Sequence, residues 1–94
     1  MKRFIEIYIK NTEEGYGFSS DSISTVIVFV DNISSIKIVK YKSTYSDGYS
    51  IFLKTVDGDR FRLVMSTKNS NCIWETYDDA KEYIDSLFRN DYTI

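Results

Sequence analysis

The stretch KYKSTYSDGYS, residues 40–50, spaces tyrosines four apart at Tyr41, Tyr45 and Tyr49 and flanks the first with Lys40 and Lys42. Cations neutralise phosphates and aromatic rings stack on bases, so this interleaving suits a single strand of nucleic acid or RNA. Arg60 and Arg62, from a later strand, extend the set. Between residues 37 and 62 there are six basic residues (Lys37, Lys40, Lys42, Lys54, Arg60, Arg62) and three acids (Asp47, Asp57, Asp59), a local excess of three. The same residues also have a purely structural use. Tyr41 and Tyr49 are expected to be cross-strand partners on either side of a Ser-Asp-Gly turn, and such aromatic pairs stabilise sheets unaided. Lysines on exposed strands also block edge-to-edge pairing. The whole chain carries −2, whereas nucleic-acid domains are usually basic. A hairpin is therefore the leading reading of this stretch, and nucleic-acid binding is the alternative.

A second constellation is acidic. Glu75, Asp78, Asp79, Glu82, Asp85 and Asp91 outnumber Lys81 and Arg89 near the end of the chain. Asp78, Asp79, Glu82 and Asp85 would form a docking surface for a basic partner, whose association such charge would speed. The plainer reading is a solvated helix face, with a Lys81–Asp85 ion pair worth about 0.3–0.5 kcal/mol. Tyr16 and Phe18, in NTEEGYGFSSDS, would add an aromatic loop tip to a protein-binding surface if exposed, or a satellite of the core if buried.

Other chemistries find little support. There is no histidine, which removes the Ser-His, Cys-His and His-metal arrangements. Cys72 cannot close an internal disulfide, and no basic neighbour in SNCIW would lower its pKa. Glu6, Asp57 and Asp59 read as turn or surface residues rather than catalytic acids. The DGD at residues 57–59 lacks the remaining ligands of a calcium loop. The GYG at residues 15–17 is too short for a phosphate loop. No catalytic residue, metal ligand or cofactor is expected.

A chain of 94 residues with 43% apolar and 28% charged residues suits one globular domain. No apolar run is long enough to span a membrane, and the N-terminus lacks a signal-peptide pattern. A cytoplasmic location is the expectation. Abundant Ile, Ser, Tyr and Lys with a single alanine suggest an AT-rich genome, such as that of a low-GC bacterium or its phage.

These residues need elements to place them. RFIEIYIK, residues 3–10, alternates isoleucines with other residues and reads as a strand. Residues 11–22 read as a long loop. TVIVFV, residues 25–30, is continuously apolar and is expected in the middle of the sheet with both faces covered. Asp31-Asn32 is a turn signal, and a third strand follows over about residues 34–41. The fourth and fifth strands are residues 49–55 and 60–65. Their connection is read from side-chain phase. A two-residue loop would set Ile51 and Leu53 beside Arg60 and Arg62. A three-residue loop, Val56-Asp57-Gly58 with Gly58 left-handed, sets Tyr49, Ile51 and Leu53 beside Phe61, Leu63 and Met65. The apolar match selects the three-residue loop and its bulge. Residues 66–72 form a polar loop, and Ile73-Trp74 either makes a short strand or plugs the core. Residues 77–90 are helical, with Thr76 as N-cap, Asp79 three residues on, and an apolar stripe of Tyr77, Ala80, Ile84, Leu87 and Phe88. The tail DYTI frays unless Tyr92 and Ile94 tuck against the sheet.

The expected fold is α+β: an antiparallel sheet of about five strands, open to curling, with one C-terminal helix packed on it. The expected function is a non-catalytic protein-binding module that docks on a larger protein, for example a phage or mobile-element accessory protein inhibiting a host enzyme. An open sheet edge or a sheet apolar on both faces also invites a homodimer.

Overall fold

In a computed structural model of the chain, residues 2–10, 22–42 and 47–94 are described. The element order is β1 (Arg3–Lys10), β2 (Ile23–Phe29), a 3-10 turn (Val30–Asn32), β3 (Ile33–Lys42), β4 (Asp47–Thr55), β5 (Arg60–Arg62), α1 (Tyr77–Arg89) and β6 (Tyr92–Thr93). The fold is α+β, with six strands among the described residues, in two three-stranded antiparallel sheets ordered β2-β1-β6 and β3-β4-β5. The sheets meet where Ile9 bridges Leu63 and the Val64 N–H donates to the Tyr8 carbonyl at 2.8 Å.

The period-two pattern of β1 places Ile5, Ile7 and Ile9 on its core face. Opposite them in the register, Val28 faces Ile5 and Val26 faces Ile7. From the second sheet come Ile51, Leu53 and Leu63, closed by Trp74 and by Ala80 of the helix. Each fully buried aliphatic side chain here contributes about 1.5–3 kcal/mol.

The hairpin between β4 and β5 follows the apolar phase. The Gly58 N–H donates to the Thr55 carbonyl (3.0 Å), the Thr55 N–H donates to the Asp59 carbonyl (2.9 Å), and Gly58 has φ +96°. This is a three-residue loop with a left-handed glycine, a conformation that penalises any Cβ. Leu53 therefore faces Phe61, and the Leu63 N–H reaches the Ile51 carbonyl at 3.0 Å.

The structure corrects several expectations. β2 is not central: among the described residues it ends the strand order of its sheet, and Ile27 is 57% exposed. Its continuous apolar run reflects one face turned to the core and the other bearing exposed or half-buried Ile27 and Phe29. Tyr41 and Tyr49 are not cross-strand partners. Tyr41 faces Gly48 and Tyr49 faces Lys40, because the β3–β4 register is offset by one from that pairing and a one-residue offset reverses the face. β5 is shorter than expected, since the chain leaves β4 at Leu63 to reach β1. The tail takes the second of the two courses open to it and docks on β1. Lys2 and Ile94 exchange backbone hydrogen bonds of 3.1 and 2.8 Å, and Tyr92 stacks on Phe4 with centroids 5.1 Å apart.

Ile73-Trp74 plugs the core and makes an isolated bridge to β4 rather than a strand. Trp74 exchanges two 2.8 Å backbone hydrogen bonds with Tyr49, and its indole is buried. Gly48 makes this approach possible: a Cβ there would lie 2.2 Å from Ile73 Cγ2 and 2.7 Å from the Trp74 carbonyl oxygen.

Helix α1 packs against β4, β1 and β3. Thr76 caps it, its Oγ1 accepting from the Asp79 N–H at 3.0 Å, which satisfies one of the free donors of the first turn. The apolar stripe is as expected for Ala80, Ile84, Leu87 and Phe88, while Tyr77 is half exposed and meets Tyr49 edge-on at 6.0 Å. Tyr83 joins the stripe, its ring 5.0 Å from that of Trp74 and its hydroxyl donating to the Val64 carbonyl at 3.2 Å. No helix among the described residues is long and apolar enough to cross a membrane.

Candidate binding face

The register of β3, β4 and β5 sorts their side chains onto two faces. Ile36, Ile38, Ile51, Leu53 and Phe61 look into the core. The opposite face carries Ser35, Lys37, Val39 and Tyr41 from β3, Gly48, Ser50, Phe52 and Lys54 from β4, and Arg60 and Arg62 from β5. That is four cations and no acid on one face. The acids of this region point elsewhere: Asp47 pairs with Lys42 on the core-side register, while Asp57 and Asp59 line a hollow with Val26, Asn32 and Thr55.

The cations are set close together. Lys54 and Arg60 are directly opposed across the β4–β5 ladder, and like charges so placed destabilise a sheet. Arg62 lies 5.8 Å from the ring centroids of both Tyr41 and Phe52, within range of cation–π attraction. One guanidinium nitrogen donates to Ser50 Oγ at 2.9 Å. Tyr41 and Phe52 remain 40% and 36% exposed. A hollow of about 290 Å³ lies beside Phe52, lined by residues of β3, β4 and β5 that include Lys37, Val39, Lys54 and Arg60.

The candidate nucleic-acid residues are thus divided. Tyr41, Arg60 and Arg62 share the cationic face, while Lys40, Lys42 and Tyr49 fall on the other side of the sheet. Tyr49 is half-buried against Tyr77. Tyr45 lies outside the described residues, as do Tyr16 and Phe18 of the expected aromatic loop. The sequence reading missed Phe52 and Val39. The signal was present: in SIFLK, Phe52 alternates out of phase with core-facing Ile51 and Leu53, so the chosen loop already placed it beside the arginines.

Asp78, Asp79, Glu82 and Asp85 are all exposed on α1. The expected Lys81–Asp85 ion pair is not formed; among the described residues the ion pair present is Arg3 with Asp91. The acidic set therefore stands as a solvated face, separate from the cationic sheet. The titration that the structure visibly perturbs is that of Tyr83, pushed up to about 12 by burial and secondarily by Tyr8. Among the described residues no three acidic or cysteine side chains gather into a metal-binding cluster. No protein-family model matches the chain, and neither a curated protein nor a solved structure matches it at a significant level.

Proposed function

We propose that this chain is a binding module without catalytic chemistry of its own, working through the outer face of β3-β4-β5 on a polyanionic partner. The sorting of charge carries this reading. A chain of net charge −2 gathers Lys37, Lys54, Arg60 and Arg62 on one sheet face with no acid among them. It does so although Lys54 and Arg60 repel each other. A bound anion relieves that repulsion, and clustered positive charge speeds anion encounter.

Docking on a basic protein through Asp78, Asp79, Glu82 and Asp85, in the manner of an inhibitor, is a second reading. It is favoured by the exposure of all four carboxylates and the absence of the expected Lys81 pair. The two readings separate on charge reversal. Fluorescent polyglutamate and a sulfated polysaccharide should bind the parent chain at low salt and lose affinity for a Lys37→Glu, Lys54→Glu, Arg60→Glu variant. A helix variant with Asp78, Asp79, Glu82 and Asp85 converted to amides should bind at least as well as the parent. Failure of the parent to bind either polymer would overturn the sheet-face reading.

A further inference from the structure

Resting on that reading of the sheet face, we infer that the polyanion it takes is a single strand of nucleic acid, with Tyr41 and Phe52 as base platforms and Lys37, Lys54, Arg60 and Arg62 as phosphate contacts. Charge alone would not choose between an acidic protein and a nucleic acid. The rings do. An acidic peptide need carry no ring beside its carboxylates, whereas a single strand presents a base beside every phosphate. Tyr41 and Phe52 project from neighbouring strands of the cationic face, exposed by 40% and 36%, with the Arg62 guanidinium 5.8 Å from each.

Arg62 is held there. Its hydrogen bond to Ser50 Oγ, whose residue is 2% exposed, anchors it to the sheet. A guanidinium so placed offers a third planar surface and a charge, and bases stack on arginine as well as on rings. Lys37 stands opposite Phe52 on one side, and Lys54 and Arg60 follow along the strands. Cations thus border the rings on more than one side, as a backbone tracking past stacked bases requires. The exposed rings of the face sit on strands rather than on a loop, so little ordering cost attends binding. Exposed rings on a sheet face also favour a splayed single strand over a duplex, whose bases are already stacked on each other.

The test is fluorescence anisotropy with labelled oligothymidylate and oligouridylate, a duplex of matched length, and polyglutamate of matched charge. The single strands should bind most tightly. If all four cations contact phosphates, log K should fall against log salt with a slope of about −2.8, a loss of about fiftyfold between 50 and 200 mM salt. Phe52→Ala should weaken binding by about 5- to 150-fold through lost stacking, and Phe52→Tyr should restore most of it. Arg60→Glu should weaken binding strongly without lowering the denaturation midpoint, which separates lost contact from lost fold. Polyglutamate binding equal to that of the single strands, indifferent to Phe52→Ala, would overturn the nucleic-acid inference and leave the polyanion reading intact. Equal affinity for the duplex would likewise overturn the single-strand assignment. Absence of binding to every probe would overturn both.

Discussion

The two sheets share one core but finish their other faces differently. In β2-β1-β6 the aromatics of the face away from the core contact one another, although Tyr92 and Ile27 stay 49% and 57% exposed. Phe4 stacks on Tyr92 and meets Phe29 edge-on at 5.9 Å, while Lys2 Nζ lies 5.8 Å from the Phe29 ring centroid. Glu6 and Lys10 balance each other in charge along β1, and Tyr83 and Leu87 of the helix approach Glu6 and Tyr8 around a hollow of about 190 Å³. In β3-β4-β5 the corresponding face holds four cations and two exposed rings, with an opposed like-charge pair. The faces differ in charge rather than in exposure: one pairs its rings mainly with each other and carries balanced charge, while the other sets its rings among four cations and keeps an opposed like-charge pair at a local cost.

Gly48→Ala should have the largest effect. The added Cβ would press on Ile73 and on the Trp74 backbone, and backbone cannot yield as a side-chain tip can. A loss of about 3 kcal/mol is expected from such overpacking, read as a lower denaturation midpoint. A variant as stable as the parent would show that the Ile73-Trp74 segment does not hold this end of β4.

Phe4→Ala sharpens the contrast between the faces. It removes a half-buried ring and two aromatic contacts, for an expected loss of about 2 kcal/mol of stability. Its affinity for oligothymidylate should be unchanged, the reverse of Phe52→Ala. Equal losses of affinity in the two variants would erase the functional distinction between the sheets.

Tyr83→Phe should cost about 1 kcal/mol, the net worth of one hydrogen bond, here the bond to Val64. It also has a pH signature. The phenol titrates near 12 in the folded chain against an ordinary value of 10, so the folded state keeps a proton that the unfolded state releases. The stabilisation is fully present below the unfolded value and is lost as pH rises through the folded one. Ultraviolet titration of the parent should show a late tyrosine step that Tyr83→Phe removes. Persistence of that step in the variant would assign it to another phenol.

The smallest effect is expected of Arg60→Glu on stability. Exchanging an opposed like-charge pair for an opposite-charge pair with Lys54 should raise stability by about 0.5 kcal/mol. A clear loss instead would mean that Arg60 supports the fold, and that the cationic face is not maintained against a folding cost.

The α+β class, the strand alternation of β1, the capped C-terminal helix and the three-residue hairpin loop were all legible in the chain, because each follows from local rules. Residues at i and i+2 share a strand face, a threonine oxygen satisfies a first-turn N–H, and glycine alone accepts φ +96° cheaply. Even the outward phase of Phe52 was implicit in that loop. Three things depended on the tertiary structure. The β3–β4 register separated Tyr41 from Tyr49, because strand pairing draws Asp47 and Gly48, two residues of the turn signal read in the sequence, into β4. The place of β2 at the end of its strand order could not be read from hydrophobicity, since a buried strand and a one-sided strand with an apolar outer face look alike in sequence. The membership of the cationic face was settled last. A count along residues 37–62 mixes both sides of a sheet, and only the pairing of strands shows that Lys37, Lys54, Arg60 and Arg62 fall together on one side and Asp47 on the other.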